Sequence, residues 1–265
     1  MARIIAIAND KGGVGKTTTT FNLGVALTQK GKRVLLIDMD AQTGNLSTCM
    51  GLEEQVKTSI TDCLLAVMNN EYVSQEAEDT EIINSPIRDL YLPLIHKEQV
   101  DLIPADKRLS LLELNQNSVL KRFLEIEYFQ KKYDFILVDC PPTLGMTTIN
   151  AFMAADSVLI PTLAAYLSAK GIESLMDIIG NVRKSNRKLK IEGILLTMVD
   201  TRCSFPKQMV ELFHQQYGTN IKVYNSFVPR SIKFDESAAM GVSNFKHNPS
   251  GKATESYRLL AEEVM

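Results

Sequence analysis

Residues 9–19 read Asn-Asp-Lys-Gly-Gly-Val-Gly-Lys-Thr-Thr-Thr, a combination that can hold a chain of phosphate groups. Glycines let backbone N–H groups close around phosphate oxygens, and a helix that follows adds the positive end of its dipole. Lys16 supplies a positive charge to the β- and γ-phosphates, and the Thr17 hydroxyl is suited to Mg²⁺. A turn that only packed a helix on a strand would not need these lysines and threonines.

The loop departs at one position from the general phosphate-loop pattern GxxxxGK[ST], because Asp10 stands where that pattern has glycine. Lys11 and the Gly12-Gly13 pair form a more specific pattern instead. The nucleotide-binding residues predicted from this loop are Lys11, Gly12, Gly13, Val14, Gly15, Lys16, Thr17 and Thr18.

Carboxylates follow two apolar segments that have the character of buried strands. Asp139 comes directly after Phe135–Val138, and Asp38 and Asp40 follow Val34–Ile37. Because parallel strands present their carboxyl ends at one ligand crevice, these acids should lie at the same sheet edge as the loop. We predict that Thr17, Asp40 and Asp139 hold Mg²⁺. For Asp38, a turn or helix-cap role is the alternative.

Short apolar segments alternate with segments of helical period along the whole chain, which is typical of βαβ units. This predicts an α/β protein of the P-loop NTPase type, with a twisted, mostly parallel sheet flanked by helices on both faces. Residues 1–265 should form a single domain, because no linker or repeat interrupts them. The predicted strands are Ile4–Ala8, Arg33–Ile37, Val100–Pro104, Phe135–Val138, Ser157–Pro161 and Ile191–Thr197. The predicted helices are Thr17–Gln29, Ser59–Met68, Ser110–Lys132 with a break, Thr147–Ala154, Ala169–Lys184, Pro206–Tyr217 and Gly251–Glu263.

The composition is that of an ordinary globular protein. The chain has 265 residues, 45% of them hydrophobic, and a formal net charge of −2, which excludes a mainly disordered or collagen-like chain. Residues 1–8 leave no room for a signal peptide, and no apolar stretch is long enough to span a bilayer, so we expect a cytoplasmic protein. The cysteines and histidines have no metal-ligand spacing.

Taken together, these motifs resemble the ParA/MinD/Soj family of P-loop ATPases with the deviant Walker A motif, KGGVGKTTT, and most closely its Soj-type partition ATPases. The resemblance covers nearly the whole chain. It includes residues 31–38, Asp139-Cys140-Pro141-Pro142, residues 195–200 and the segment from Val228 to Glu236. Four departures stand out: Asp10 replaces a glutamine, residues 40–45 replace the family's DPQGN run, Ala165 replaces a glutamate, and Ser231 replaces an asparagine.

The resemblance implies roles for particular residues. Lys11 would reach across an ATP-sandwiched homodimer to the partner's phosphates, and Asp40 would position the hydrolytic water. Lys16 and Asp139 complete the implied catalytic set, and Pro229 and Arg230 would lie near the adenine. The implied activity is a Mg²⁺-dependent ATPase with a weak basal rate, in which ATP favours the dimer and hydrolysis releases it.

The resemblance also implies nonspecific DNA binding and a ParB-like centromere-binding partner, so that the protein would associate with the nucleoid when ATP is bound. Because the net charge is near zero, DNA contact requires a local basic patch. The candidates are Arg183, Lys184, Arg187 and Lys188, with Arg202 and Lys233 at family positions. A solvated helix end is the alternative for the first four.

Several other functions remain alternatives at this stage. A protein assembly could be the cargo in place of a chromosome or plasmid. A MinD-like membrane role is a further alternative, but residues 256–265 are too acidic and short for a membrane-binding helix. An iron–sulfur electron donor requires bridging cysteines that Cys140 does not match. A module that does not hydrolyse ATP would not need Asp40 and both lysines. Residues 69–98 form an irregular, acidic segment, for which we expect a solvated surface excursion.

Overall fold

A computed structural model describes residues 1–41, 46–69, 93–114, 117–165, 168–200, 202 and 204–265. Three features of the sequence analysis therefore lie outside the described residues: positions 42–45 of the run after Asp40, most of the 69–98 segment, and Cys203. The described end of that segment, residues 93–98, is not irregular: it contains a short edge strand and a turn.

The centre of the protein is a seven-stranded sheet. Its strands are β1 (Arg3–Ile7), β2 (Val34–Asp38), β3 (Leu94–Ile95), β4 (Val100–Ile103), β5 (Phe135–Asp139), β6 (Ser157–Leu163) and β7 (Lys190–Thr197). They are arranged in the order β3-β4-β2-β5-β1-β6-β7, and within this sheet β3 alone runs antiparallel to its neighbour. The predicted α/β class with a mostly parallel sheet is confirmed.

Helices cover both faces of this sheet. They are α1 (Lys16–Gln29), α2 (Leu46–Cys49), α3 (Ile60–Met68), α4 (Val119–Leu124), α5 (Glu127–Lys132), α6 (Met146–Ala154), α7 (Ser168–Val182), α8 (Ser204–Tyr217), α9 (Lys233–Ala239), α10 (Asn244–His247) and α11 (Lys252–Val264). Among the described residues, none of these helices is long and apolar enough to cross a membrane.

Two hydrophobic cores form because side chains alternate along each strand. In β1, Ile4 and Ala6 enter the core beneath α3 to α7, whereas Ile5 and Ile7 enter the core beneath α1 and α11. Strands buried on both faces are expected to be almost continuously apolar, and residues 3–7 and 34–37 are. This explains why the sequence identified the central strands within one or two residues.

The predicted helix Ser110–Lys132 with a break is right about the break and about the end at Lys132, but wrong about the start, because the first α-helix of this region begins at Val119. A 3-10 helix begins at Lys107 instead, since Asp106 accepts the N–H of Arg108 and starts the turn early. The later part is divided into α4 and α5 at Ile126, whose backbone is not helical. The first N–H groups of α4 bond to the Asn150 side chain on α6, a contact between distant residues that periodicity cannot reveal.

Two glycines allow the C-terminal helices to approach the segment that follows β2. Gly51 and Gly241 both have positive φ, at 64° and 59°. A Cβ added to Gly241 would lie 2.8 Å from the Cα of Gly51. The end of α2 and the end of α9 therefore meet backbone to backbone at this crossing.

We predict that Gly241→Ala lowers the free energy of unfolding by roughly 2–4 kcal/mol, because the left-handed conformation and the backbone overlap both oppose a side chain. Gly31→Ala is the matched control, since Gly31 has φ 77° but no atom within 4 Å of its added Cβ. Urea unfolding should show a loss of about 1 kcal/mol for this control. Equal losses in the two variants would contradict the close contact.

Candidate functional site

The loop at residues 9–15 connects β1 to α1 and adopts the conformation that its glycines allow. Gly13 and Gly15 have φ values of 69° and 85°, in the left-handed region where a side chain is disfavoured. Helix α1 then begins at Lys16, and the N–H of Thr19 bonds to the carbonyl of Gly15 at 2.9 Å. The N-terminus of a 14-residue helix thus points into the loop, as anion binding requires.

Side chains from distant segments fix this loop. The Asn9 amide donates to the Pro161 carbonyl at 2.7 Å, and its oxygen accepts the N–H of Lys11 at 3.0 Å. The Thr197 hydroxyl at the end of β7 lies 2.9 Å from the Val14 carbonyl and 3.1 Å from that of Thr162. Sequence reasoning did not identify Asn9 or Thr197. The sequence did contain a signal for each: Asn9 is a polar residue shortly after an apolar strand, and Thr197 is a polar residue at the end of one.

Lys16 is buried at the start of α1, and its ammonium group donates to the Lys11 carbonyl at 3.0 Å. Burial lowers the pKa of Lys16, while the nearby negative charges of Asp139, Asp40 and Asp10 oppose that shift. The structure therefore brings the predicted phosphate-binding lysine together with the predicted carboxylates.

Asp38 and Asp139 are paired in register at the ends of β2 and β5, and both are almost completely buried. The Asp38 oxygens accept the N–H groups of Asp40 at 2.9 Å and Leu46 at 3.0 Å, which is the cap role considered for it. Neither oxygen of Asp139 has a hydrogen-bond partner among the described residues. Burial raises the pKa of the Asp139 carboxyl to about 7, and the nearby hydroxyls of Thr17 and Thr20 and the charge of Lys16 oppose this shift. Two buried, unpaired carboxylate oxygens fit a cation or its bound water.

A cleft of about 270 Å³ opens beside the loop, and Pro229 and Arg230 line it together with Gly15 and Thr18. The segment that carries them runs parallel to the end of β7, with the Arg230 N–H bonded to the Val199 carbonyl at 3.0 Å. The residues predicted near the adenine thus lie next to the loop predicted to hold the phosphates.

Comparisons with known proteins agree with this arrangement. Residues 2–191 match a family model described as an AAA domain. The chain is 36% identical to the sporulation initiation inhibitor protein Soj of Bacillus subtilis, over 100% of this chain and 98% of Soj. It is also 36% identical to the chromosome partitioning protein ParA of Caulobacter vibrioides, over 99% and 94% of the two chains. The chain belongs to the ParA/Soj family of P-loop ATPases.

A solved structure of another protein has a similar fold. The crystal structure of cobyrinic acid a,c-diamide synthase from Mycobacterium smegmatis with bound ADP and magnesium is similar to this protein, with a TM-score of 0.76 and 27% identity. The similarity covers 99% of this chain and 93% of that one. A fold of this kind therefore holds a nucleotide and magnesium in that protein.

In this ParA/Soj-family chain, the basic residues predicted to contact DNA fall into two groups. Arg183, Lys184, Arg187 and Lys188 are exposed and precede β7, at the amino edge of the sheet, which is opposite to the loop. None of these four pairs with a carboxylate in the part of the chain that the structure describes. Asn186 anchors their segment by donating to the carbonyls of Phe152 and Ala155 at 2.9 Å.

Arg202 and Lys233 lie at the opposite, carboxyl edge of the sheet, where the chain continues beyond β7 near the cleft. Each is held by an acid on its own segment: Arg202 by Asp200 at 2.7 Å, and Lys233 by Glu236 at 2.7 Å. The pKa of Asp200 is lowered to about 2 by its hydrogen bonds with Arg202. The structure thus divides the predicted DNA contacts between two opposite edges.

We predict that Thr197→Val weakens nucleotide binding several-fold, because the Val14 carbonyl loses the hydroxyl that fixes it. The lost hydrogen bond is worth about 1 kcal/mol. Titration with a fluorescent ADP analogue would measure the change. Thr28→Val is the matched control, since its hydroxyl bonds to the Val25 carbonyl far from the loop. A similar loss of affinity in both variants would contradict the anchoring role.

Proposed function

We propose that this protein is a Mg²⁺-dependent ATPase of the partition type, with all 265 residues forming one domain and with a weak basal rate. The observation that supports this most directly is the placement of Lys16, Asp40 and Asp139 around one glycine-rich loop at a single sheet edge. Phosphoryl transfer to water needs positioning and charge neutralisation rather than covalent chemistry, and these residue types supply both.

The proposed roles combine the family resemblance with the positions of these residues around the loop. Residues 11–18 bind the phosphates through backbone N–H groups and the two lysines, and Pro229 and Arg230 contact the base. Thr17, Asp40 and Asp139 are the oxygen donors for Mg²⁺, which would neutralise charge on the phosphates when bound. Asp40 orients the attacking water. The unpaired oxygens of Asp139 support its assignment to the cation.

ATP acts as a switch of oligomeric state in this proposal. The Lys11 side chain is only half-buried. The hydrogen bond between the two lysines runs from the Lys16 ammonium group to the Lys11 backbone carbonyl, so it does not involve the Lys11 ammonium group. Its side chain would reach a nucleotide bound by a second copy of the chain, so ATP stabilises a homodimer and hydrolysis releases it. A monomer would lack one cation at the γ-phosphate, and this explains a weak basal rate.

The cargo in this proposal is a replicon, and the partners are nonspecific DNA and a ParB-like centromere-binding protein. The names of the relatives, Soj and chromosome partitioning protein ParA, favour this over a protein cargo. A MinD-like membrane role is disfavoured by α11, because Tyr257, Leu260 and Val264 are buried against the core. The apolar face of this helix is therefore already occupied.

We predict that Lys16→Ala lowers kcat for ATP hydrolysis by about 100-fold or more and weakens nucleotide binding, because it removes a preorganised charge. Lys11→Ala should still bind nucleotide but lose ATP-dependent dimerisation. Phosphate release and light scattering would measure these effects. Lys30→Ala, which removes an exposed lysine paired with Glu262, is the control. Phosphate release that persisted in Lys16→Ala would contradict the ATPase proposal.

We predict that the protein binds duplex DNA tightly in the presence of ATP and weakly with ADP or no nucleotide. Lys11→Ala should lose this dependence on ATP. Neutralising Arg202 and Lys233 should remove the ATP-dependent increase, because these residues lie beside the nucleotide cleft. Neutralising Arg183, Lys184, Arg187 and Lys188 should weaken binding equally in every nucleotide state.

Fluorescence anisotropy at several salt concentrations would test this, since each lost phosphate contact reduces the slope of log K against log salt by about one. Lys131→Ala, which removes an exposed lysine paired with Glu127, is the control. If DNA does not bind in any state while ATP-dependent dimerisation persists, the partition assignment fails and a protein cargo becomes the better candidate.

A further inference from the structure

Asp38 lies beside the proposed catalytic residues, but none of the roles given above uses it. It is the last residue of β2 and is completely buried. One carboxylate oxygen accepts the N–H of Asp40 at 2.9 Å, and the other accepts the N–H of Leu46 at 3.0 Å. The side chain therefore binds both ends of the segment that runs from Asp40 to the start of α2.

These hydrogen bonds satisfy groups that the sheet and helix leave unpaired. The Asp40 N–H lies beyond the end of β2, and the Leu46 N–H is at the first position of α2, where no partner exists within the helix. A buried N–H without a partner destabilises the fold, because it has given up its hydrogen bonds to water. A short side chain with two acceptor oxygens can satisfy both groups at once.

The neighbouring carboxylate has a different role. Asp139 is the register partner of Asp38 on β5, and both its oxygens lack a partner among the described residues. Both Asp38 oxygens already face backbone N–H groups. Of these two acids, Asp139 is therefore the better candidate for a cation or its water, whereas Asp38 is directed at the backbone.

We propose that Asp38 is a positioning residue for ATP hydrolysis, which holds the Asp40 backbone so that the Asp40 carboxylate faces the bound phosphates. This inference rests on the proposed ATPase function. The anchoring extends further, because α2 leads to Gly51, whose backbone contacts Gly241 at the end of α9. Helix α9 contributes Phe234 to the cleft beside the loop. Asp38 therefore fixes Asp40 relative to both sides of the nucleotide site.

The test compares Asp38→Asn with the wild type in steady-state ATP hydrolysis. The amide retains one acceptor oxygen but places an NH₂ group against the second backbone N–H. We expect kcat to fall about 10- to 100-fold, the loss typical of a misplaced catalytic group. The KM for ATP and the affinity for an ADP analogue should change less than about two-fold, because the phosphate-binding loop is untouched.

Asp156→Asn is the matched control. Asp156 also accepts a backbone N–H, that of Ile4 at 2.8 Å, but it lies at the amino edge of the sheet, opposite to the loop. This variant should lose stability without losing kcat. Similar losses of kcat in Asp38→Asn and Asp156→Asn would show that Asp38 acts on general stability, which overturns the proposal.

A double-mutant cycle with Asp40→Ala tests whether Asp38 acts through Asp40. Single-turnover rates at high enzyme concentration should be equal in Asp40→Ala and in the double variant, because residues that act as a unit are not additive. A further loss in the double variant would contradict the proposal. If Asp38→Asn does not fold, hydrogen exchange in the wild type provides the test. The Asp40 and Leu46 amides should be protected, and rapid exchange would overturn the proposal.

If the wild type shows no ATP hydrolysis, the proposed function fails. If the wild type hydrolyses ATP and Asp38→Asn does so equally fast, only this inference fails.

Discussion

The burial of two carboxylates side by side, at the ends of β2 and β5, is the constraint on which the rest of this site depends. Moving an ionised carboxylate out of water costs several kcal/mol unless it is paired or hydrogen-bonded. Two backbone N–H groups, those of Asp40 and Leu46, offset part of this cost for Asp38, although burial still raises its pKa well above the usual range. Asp139 has no such backbone partners among the described residues, and burial raises its pKa; the nearby Thr17 and Thr20 hydroxyls, the charge of Lys16 and, in the proposed function, a cation oppose that shift.

The burial of these carboxylates also explains the position of Lys16. A buried lysine loses hydration, which lowers its pKa, yet three acids near it favour the charged form. Its ammonium group also bonds to the Lys11 carbonyl, so the lysine closes the loop that it serves. Pro161 on β6, which accepts the Asn9 amide, and Thr197 on β7 hold the same loop. The loop is in this way held by hydrogen bonds within the protein itself, which is the preorganisation that binding a highly charged ligand would need.

The two edges of the sheet differ in how their charged surface residues are paired. The carboxyl edge carries the loop, the acids, and basic residues that are paired with acids on their own segments. The amino edge carries Arg183, Lys184, Arg187 and Lys188 without such partners among the described residues. Because the net charge is only −2, local patches of this kind determine where a polyanion can bind. A change in polyanion binding when a nucleotide binds is easier to explain at the carboxyl edge, since that edge contains the cleft.

The sequence by itself determined the central strands, the phosphate-binding loop and the edge at which the acids meet. Each of these depends on local information: continuous apolar segments, glycines at fixed spacing, and the rule that parallel strands share a carboxyl edge. The sequence did not reveal α2, α9 or α10, because these short helices are held by contacts with distant residues, such as the Gly51–Gly241 crossing. It also left open whether Asp38 caps a turn or holds a cation. Only the tertiary structure shows that Asp38 binds backbone, because this depends on which N–H groups the fold brings to its two oxygens.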